Sequence, residues 1–256
     1  NGKSASVEIP LSSTGTYTIK IKATGRYQNS AELSSGTYKI DTTKPTVSGL
    51  TASTAWSTSN RITGTGADSH SGISYYAVTK TSSVPTSWTS VTNTSSYSIS
   101  YNATSNGTYY VWVKDKVGNY NYGTVSVSKV DNTTPTITAR NTPYTATVGT
   151  NYATTNFYTV SYGPSGGSTV CRNGSTTVTN VSSLGVGSYT LTCTATSTAG
   201  KSASVNISVT IKSPNYMYYT AQYSTNDMSI NRCNVDGSNC TRITTVNGGA
   251  NGDYIP

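Results

Sequence analysis

SASVEIPLSSTGTY at residues 4–17 falls without a gap onto SYSISYNATSNGTY at residues 96–109. Each copy runs on through an alternating strand, a Gly-containing turn and a second strand. The first closes at Asp41-Thr-Thr-Lys-Pro45 and the second at Asp131-Asn-Thr-Thr-Pro135. A looser third copy begins at Gly187-Ser188-Tyr189 and closes near Pro214. Tyr17 and Tyr109 lie 92 positions apart and the closing prolines 90. That is the size of one β-sandwich domain and too long for a solenoid repeat. Gly36-Thr37-Tyr38 matches the same tripeptide but lies inside the second strand of its own module.

Composition narrows the fold class. A chain of 256 residues has room for two to three small domains. Only 10% of its residues are charged, and Ala, Leu, Glu and Lys are too sparse for amphipathic helices. Ser, Thr, Asn, Gly and Tyr dominate, which suits short strands whose β-branched and aromatic residues supply the pleated faces. The sustained Val/Ile/Tyr alternation argues against disorder outside the C-terminal end.

The net charge of +8 is scattered over Lys20, Lys22, Lys39, Lys114, Lys116, Lys129 and Lys201. Without a focused basic stripe no nucleic-acid partner is expected. No run approaches the roughly 18 apolar residues of a membrane span. Cys171, Cys193, Cys233 and Cys240 have no zinc-knuckle spacing, and His70 is the single histidine. Two disulfides, Cys171–Cys193 and Cys233–Cys240, are the expectation, which implies an oxidising, extracellular or cell-surface setting.

Four segments follow. Residues 1–45 read as the last three strands of a module, with Val7, Ile9 and Leu11 on one face and Tyr17, Ile19 and Ile21 on one face of the next strand. The four strands that should come first are missing, so a neighbouring domain or chain is expected to cover this module. Residues 46–135 form a complete module with strands at 46–52, 60–66, 73–79, 96–102, 108–114 and 124–130. Residues 136–212 form a divergent module. Residues 213–256 read as a β-hairpin turning at Asp236-Gly237, the possible start of a further domain.

GISYYAVTK at 72–80, Trp88 and GTYYVWVKDKVGN at 107–119 together resemble the immunoglobulin-like repeats of bacterial cell-surface proteins. GSYTLTCTATSTAGKSASV at 187–205 is similar to the strand–turn–strand end of hyalin-type repeats. Cys193 stands where that family has a half-cystine, while Ala203 and Val205 replace its usual last cysteine, so the pairing with Cys171 is an inference. The pattern around Asn234-Val-Asp-Gly-Ser238 is similar to a blade of YWTD-type β-propellers. The resemblance implies an all-β chain of tandem immunoglobulin-like β-sandwiches in a row.

The residues that offer chemistry are few. Tyr17, Tyr109 and Tyr189 each follow Gly-Thr or Gly-Ser where a tyrosine corner would pin the preceding loop. Asp41, Asp68, Asp115, Asp131 and Asn119 are the only hard-metal ligands to weigh, and they read as turn caps, with Asp41 and Asp131 alone in their linkers. No metal or cofactor is expected. His70 reads as a solvated loop histidine, and Glu8 and Glu32 are too few for paired-carboxylate catalysis. Alternation turns Tyr109, Val111 and Val113 inward, and so Tyr110 and Trp112 outward. Tyr75, Tyr120 and Tyr122 fall near them, and an outward Trp is peculiar to this copy. These five aromatics are the ligand-binding candidates, with glycans or host surface proteins as partners.

The expected function is an extracellular structural or adhesive segment of a large bacterial surface protein, a stalk or adhesin without catalysis. The alternatives are a carbohydrate- or host-protein-binding module, or an accessory region of a secreted enzyme.

Overall fold

The computed structural model describes residues 6–28, 30–224, 227–235 and 237–247. It is all-β, with several separate sheets. Among the described residues no helix is long and apolar enough to cross a membrane. The chain divides into two compact units, Asn1–Asn132 with Thr198–Gly200, and Thr133–Ser197 with Lys201–Pro256.

The described residues of the first unit form nine strands: β1 (Gly15–Thr24), β2 (Ser30–Ile40), β3 (Thr46–Ala52), β4 (Asn60–Ala67), β5 (Ile73–Thr79), β6 (Thr89–Thr94), β7 (Ser96–Ala103), β8 (Gly107–Asp115) and β9 (Tyr120–Val127). β1 and β2 pair with each other, β3-β4-β7 form a second sheet, and β6-β5-β8-β9 a third. Ile62 and Ile99 of the second sheet join Ile73, Tyr109, Val111 and Val113 of the third in one buried cluster. Alternation puts these residues on a single face of each strand, so burying them fixes the register. Two strand glycines make room for the core. A Cβ on Gly123 would lie 2.7 Å from Leu50 Cδ1, and one on Gly66 would lie 2.6 Å from Val113 Cγ1.

Three expectations for this unit need correction. The last strand of the complete module begins at Tyr120, not at residue 124, and β6 was not anticipated. The strand expected around Val7, Ile9 and Leu11 does not form: residues 6–12 have no strand, and Val7 is 69% exposed. Its aligned counterpart β7 is held by its ladder to β4. No described strand pairs with the 6–12 segment, and a strand without a ladder leaves its backbone to water.

The second unit holds β10 (Thr136–Ala139), β11 (Tyr144–Thr147), β12 (Tyr158–Ser161), β13 (Gly167–Asn173), β14 (Thr176–Thr177), β15 (Gly187–Ser197), β16 (Ser202–Lys212), β17 (Tyr216–Ser224), β18 (Asp227–Asn234) and β19 (Thr241–Asn247). The sheets are β10-β12, β11-β16-β15-β13-β14 and β17-β18-β19. β11 runs parallel to β16, and the other strand pairings among the described residues of this unit are antiparallel. Phe157, the only phenylalanine, is carried inward by a 3-10 turn at Thr154–Phe157 and packs against the rings of Tyr144 and Tyr152. Leu191, Ile207, Val209 and Ile211 complete that core.

Both expected disulfides are present. Cys171 and Cys193 stand directly opposite each other across β13 and β15 and are bonded. Cys233 and Cys240 are bonded as well, but residues 213–256 contain more than a hairpin. Tyr216–Ser224 adds a third strand, so β17-β18-β19 form a meander. Its turn is longer than an Asp-Gly pair: Gly237 N donates to Asn234 O, and Asn234 N to Ser238 O. Asp236 itself lies outside the described residues.

Candidate functional site

The outer face of the β6-β5-β8-β9 sheet gathers the aromatics singled out above. Register places Tyr122 opposite Trp112 and Tyr120 opposite Lys114. The ring centroids of Trp112 and Tyr122 are 4.5 Å apart, those of Tyr110 and Tyr122 5.5 Å, and those of Trp112 and Tyr120 6.1 Å. Trp112 does point away from the core cluster, yet it is only 2% exposed. Tyr120 and Tyr122 cover it and remain 40% and 41% exposed themselves. Trp112 Nε1 donates to Thr79 Oγ1 at 3.1 Å, so its polar edge is satisfied within the sheet. An outward Trp therefore became the floor of the cluster, and the two tyrosines became its surface.

One contributor was not identified from the sequence as a site residue. Trp88, in the loop before β6, lies 6.5 Å from Tyr120 centroid to centroid. Lys114 Nζ sits 4.4 Å from the Trp88 centroid and 4.5 Å from that of Tyr75, an ammonium between two aromatic faces. The sequence signal was a lone Trp in a Ser/Thr-rich loop, which says nothing about the face on which it lands. All five expected binding candidates, Tyr75, Tyr110, Trp112, Tyr120 and Tyr122, lie on this one face.

A second cluster closes the end of the same module. Asp41, Asp68 and Asp115 each bring a carboxylate oxygen to within 4.8 Å of one another. Asp41 is thus not alone in its linker, which corrects the sequence reading. The turn-capping role is also present. Asp68 Oδ1 accepts from the backbone N–H groups of His70, Ser71 and Gly72, and Asp115 Oδ1 from those of Val117, Gly118 and Asn119. Asn119 Nδ2 donates to Asp115 Oδ2 at 2.7 Å and to Asp41 O at 3.2 Å. Burial pushes the Asp41 carboxyl up. Against it the Ser71 side chain, the N–H groups of Thr43 and Ser71 and the charge of His70 pull down, and the net result lies below the ordinary 3.8. These oxygens are the hard donors a cation such as calcium takes, although it collects about six to eight of them. Here most are already committed to loop N–H groups.

The three repeat tyrosines do what their position implies. Tyr17, Tyr109 and Tyr189 each donate from the hydroxyl to the carbonyl four residues upstream, of Ser13, Ser105 and Gly185, at 2.9, 2.8 and 3.0 Å. His70 is exposed, and the side-chain contact shown for it is with Ser69 Oγ at 3.4 Å. No family model matches the chain, and no curated protein matches it.

Proposed function

We propose that the chain is an extracellular segment of a large bacterial surface protein, a stalk or adhesin made of tandem immunoglobulin-like β-sandwiches, without catalysis. The observation that carries this reading is the treatment of the linker at Asp41–Pro45. A flexible hinge would leave these residues free, but here they are bonded to the module that follows. Ser71 N donates to Asp41 Oδ2, Asn119 Nδ2 to Asp41 O, and Asn121 Nδ2 to Pro45 O. Pro45 also fixes its own φ and biases Lys44 toward extended geometry. A joint built this way transmits orientation between modules, which is what a spacer requires. Two disulfides add support, because such bonds persist in oxidising compartments.

Trypsin shaving of intact cells that make the parent protein is the test. Recovery of peptides from this segment, with slow hydrogen exchange at Thr43 and Ser71 in the purified chain, is the expected result. Absence from the shaved fraction, or fast exchange at both amides, overturns the reading.

A further inference from the structure

We propose that the outer face of the β6-β5-β8-β9 sheet binds a carboxylated polysaccharide. Sugar rings stack on Tyr120 and Tyr122, and a sugar carboxylate meets Lys114 Nζ. This goes beyond spacing, since a spacer needs no ligand.

The shape of the face favours a ring-stacking ligand. Tyr120 and Tyr122 are two-fifths exposed, yet both are braced from beneath by Trp112. Rings already fixed in place lose little freedom when a flat partner lands on them, so more of the contact energy remains as affinity. Both stand on strands, which hold a site more rigidly than loops do.

Charge then selects among flat partners. The four strands of this sheet carry a single acidic residue, Asp115, which is wholly buried and bonded to its own turn. Lys114 has no carboxylate within ion-pair distance among the described residues. Its ammonium is held against Trp88 and Tyr75, beside Tyr120. A face with a fixed cation and no exposed carboxylate complements an anionic ligand. Exposed Thr108, Thr124 and Ser126 continue along the same face and supply hydroxyls for sugar hydroxyls. A nucleic acid would need cations in step with its phosphates, and these strands hold no arginine and only the one lysine.

The test uses the full chain against immobilised hyaluronan, polysialic acid and polygalacturonate, with the methyl ester of any polymer that binds and oligo-dT as comparators. Binding to at least one carboxylated polymer, lost on esterification, is expected. Tyr122→Ala and Lys114→Gln should each weaken it about tenfold or more, while Lys20→Gln in the first module leaves it unchanged. Tyr120→Ala serves in place of Tyr122→Ala if that variant loses its melting transition. Three results overturn the proposal. One is no binding to any of the three polymers. Another is binding that both face variants leave intact, which would reflect only the net charge of +8. The third is oligo-dT bound as tightly and with the same sensitivity to the variants. None of these touches the shaving result, so the two readings fail separately.

Discussion

The phenol of Tyr109 reaches back to the carbonyl oxygen of Ser105 and closes on it at 2.8 Å. Its ring is buried in the core cluster, so one side chain ties the loop before β8 to the packing beneath it. Lys80 reinforces the same corner, with Nζ 5.0 Å from the Tyr109 centroid and 2.7 Å from the carbonyl oxygen of Asn106. Tyr109→Phe keeps the ring and removes the bond, leaving a carbonyl without its donor. We expect a loss of about 1 kcal/mol. Trp56, Trp88 and Trp112 all lie in this module, so the urea midpoint of tryptophan fluorescence reads the effect directly. Tyr189→Phe should leave that midpoint unmoved.

Asp115 is fully buried and gathers three backbone N–H groups on one oxygen. Asp115→Ala strands those donors in the 116–119 turn and should cost about 2–4 kcal/mol. Asp115→Asn keeps an acceptor and should cost less. Equal midpoints for the two variants would show that the turn does not depend on this acceptor.

The depressed pKa of Asp41 gives the joint a pH dependence. Its carboxylate form is favoured in the folded state, so its stabilising contribution is complete above the ordinary value of 3.8 and disappears as pH falls through the lower folded value. Thermal unfolding of the wild type should therefore shift downward in that acid window more than that of Asp41→Asn. Parallel pH profiles for the two proteins would remove Asp41 from the account.

Cys171 and Cys193 are separated by 22 positions and bridge adjacent strands of the second unit. Replacing both with Ala should destabilise that unit by about 3 kcal/mol in the chain-entropy description. Hydrogen exchange at the amides of β15 and β16 across a urea series reads this unit, while the midpoint of tryptophan fluorescence stays unchanged. Two free thiols in non-reducing mass spectrometry of the oxidised wild type would contradict the bridge itself.

Trp112→Ala removes the floor of the aromatic face and should cost about 3–5 kcal/mol. It therefore unfolds or loosens the module and is unsuited to measuring binding. Tyr122→Ala, which truncates a side chain already two-fifths exposed, should cost less, about 1–3 kcal/mol for its lost ring contacts with Trp112 and Tyr110. A large loss there would show that Tyr122 also holds the sheet together, and the binding measurement then passes to Tyr120→Ala.

Local pattern carried much of this architecture. The alternation Tyr109–Val111–Val113 needs only the two-residue period of a strand to assign its inward face, and β3 and β5 fell on the residues that pattern marks. The Gly-Thr-Tyr and Gly-Ser-Tyr starts located three tyrosine corners because the bond spans only four residues. The cysteine pairs were legible in the same way, through spacing and alternation along short stretches. Strand existence was also legible where apolar residues alternate, but not for Thr89–Thr94, a run of hydroxyl and amide side chains around Val91 that becomes a strand by pairing with β5.

Tertiary structure decided the rest, because it depends on which faces and loop ends meet. Alternation sets the direction of Trp112, yet its burial depends on Tyr120 and Tyr122 arriving from β9, whose start the sequence placed four residues too late. Trp88 reached the face by way of a loop with no periodic signal. Asp41 looked solitary because its carboxylate neighbours, Asp68 and Asp115, are 27 and 74 positions away along the chain. Val7, Ile9 and Leu11 carry the alternation of a strand without becoming one. A strand's pattern is written in its own residues, but its hydrogen bonds belong to the neighbour that supplies them.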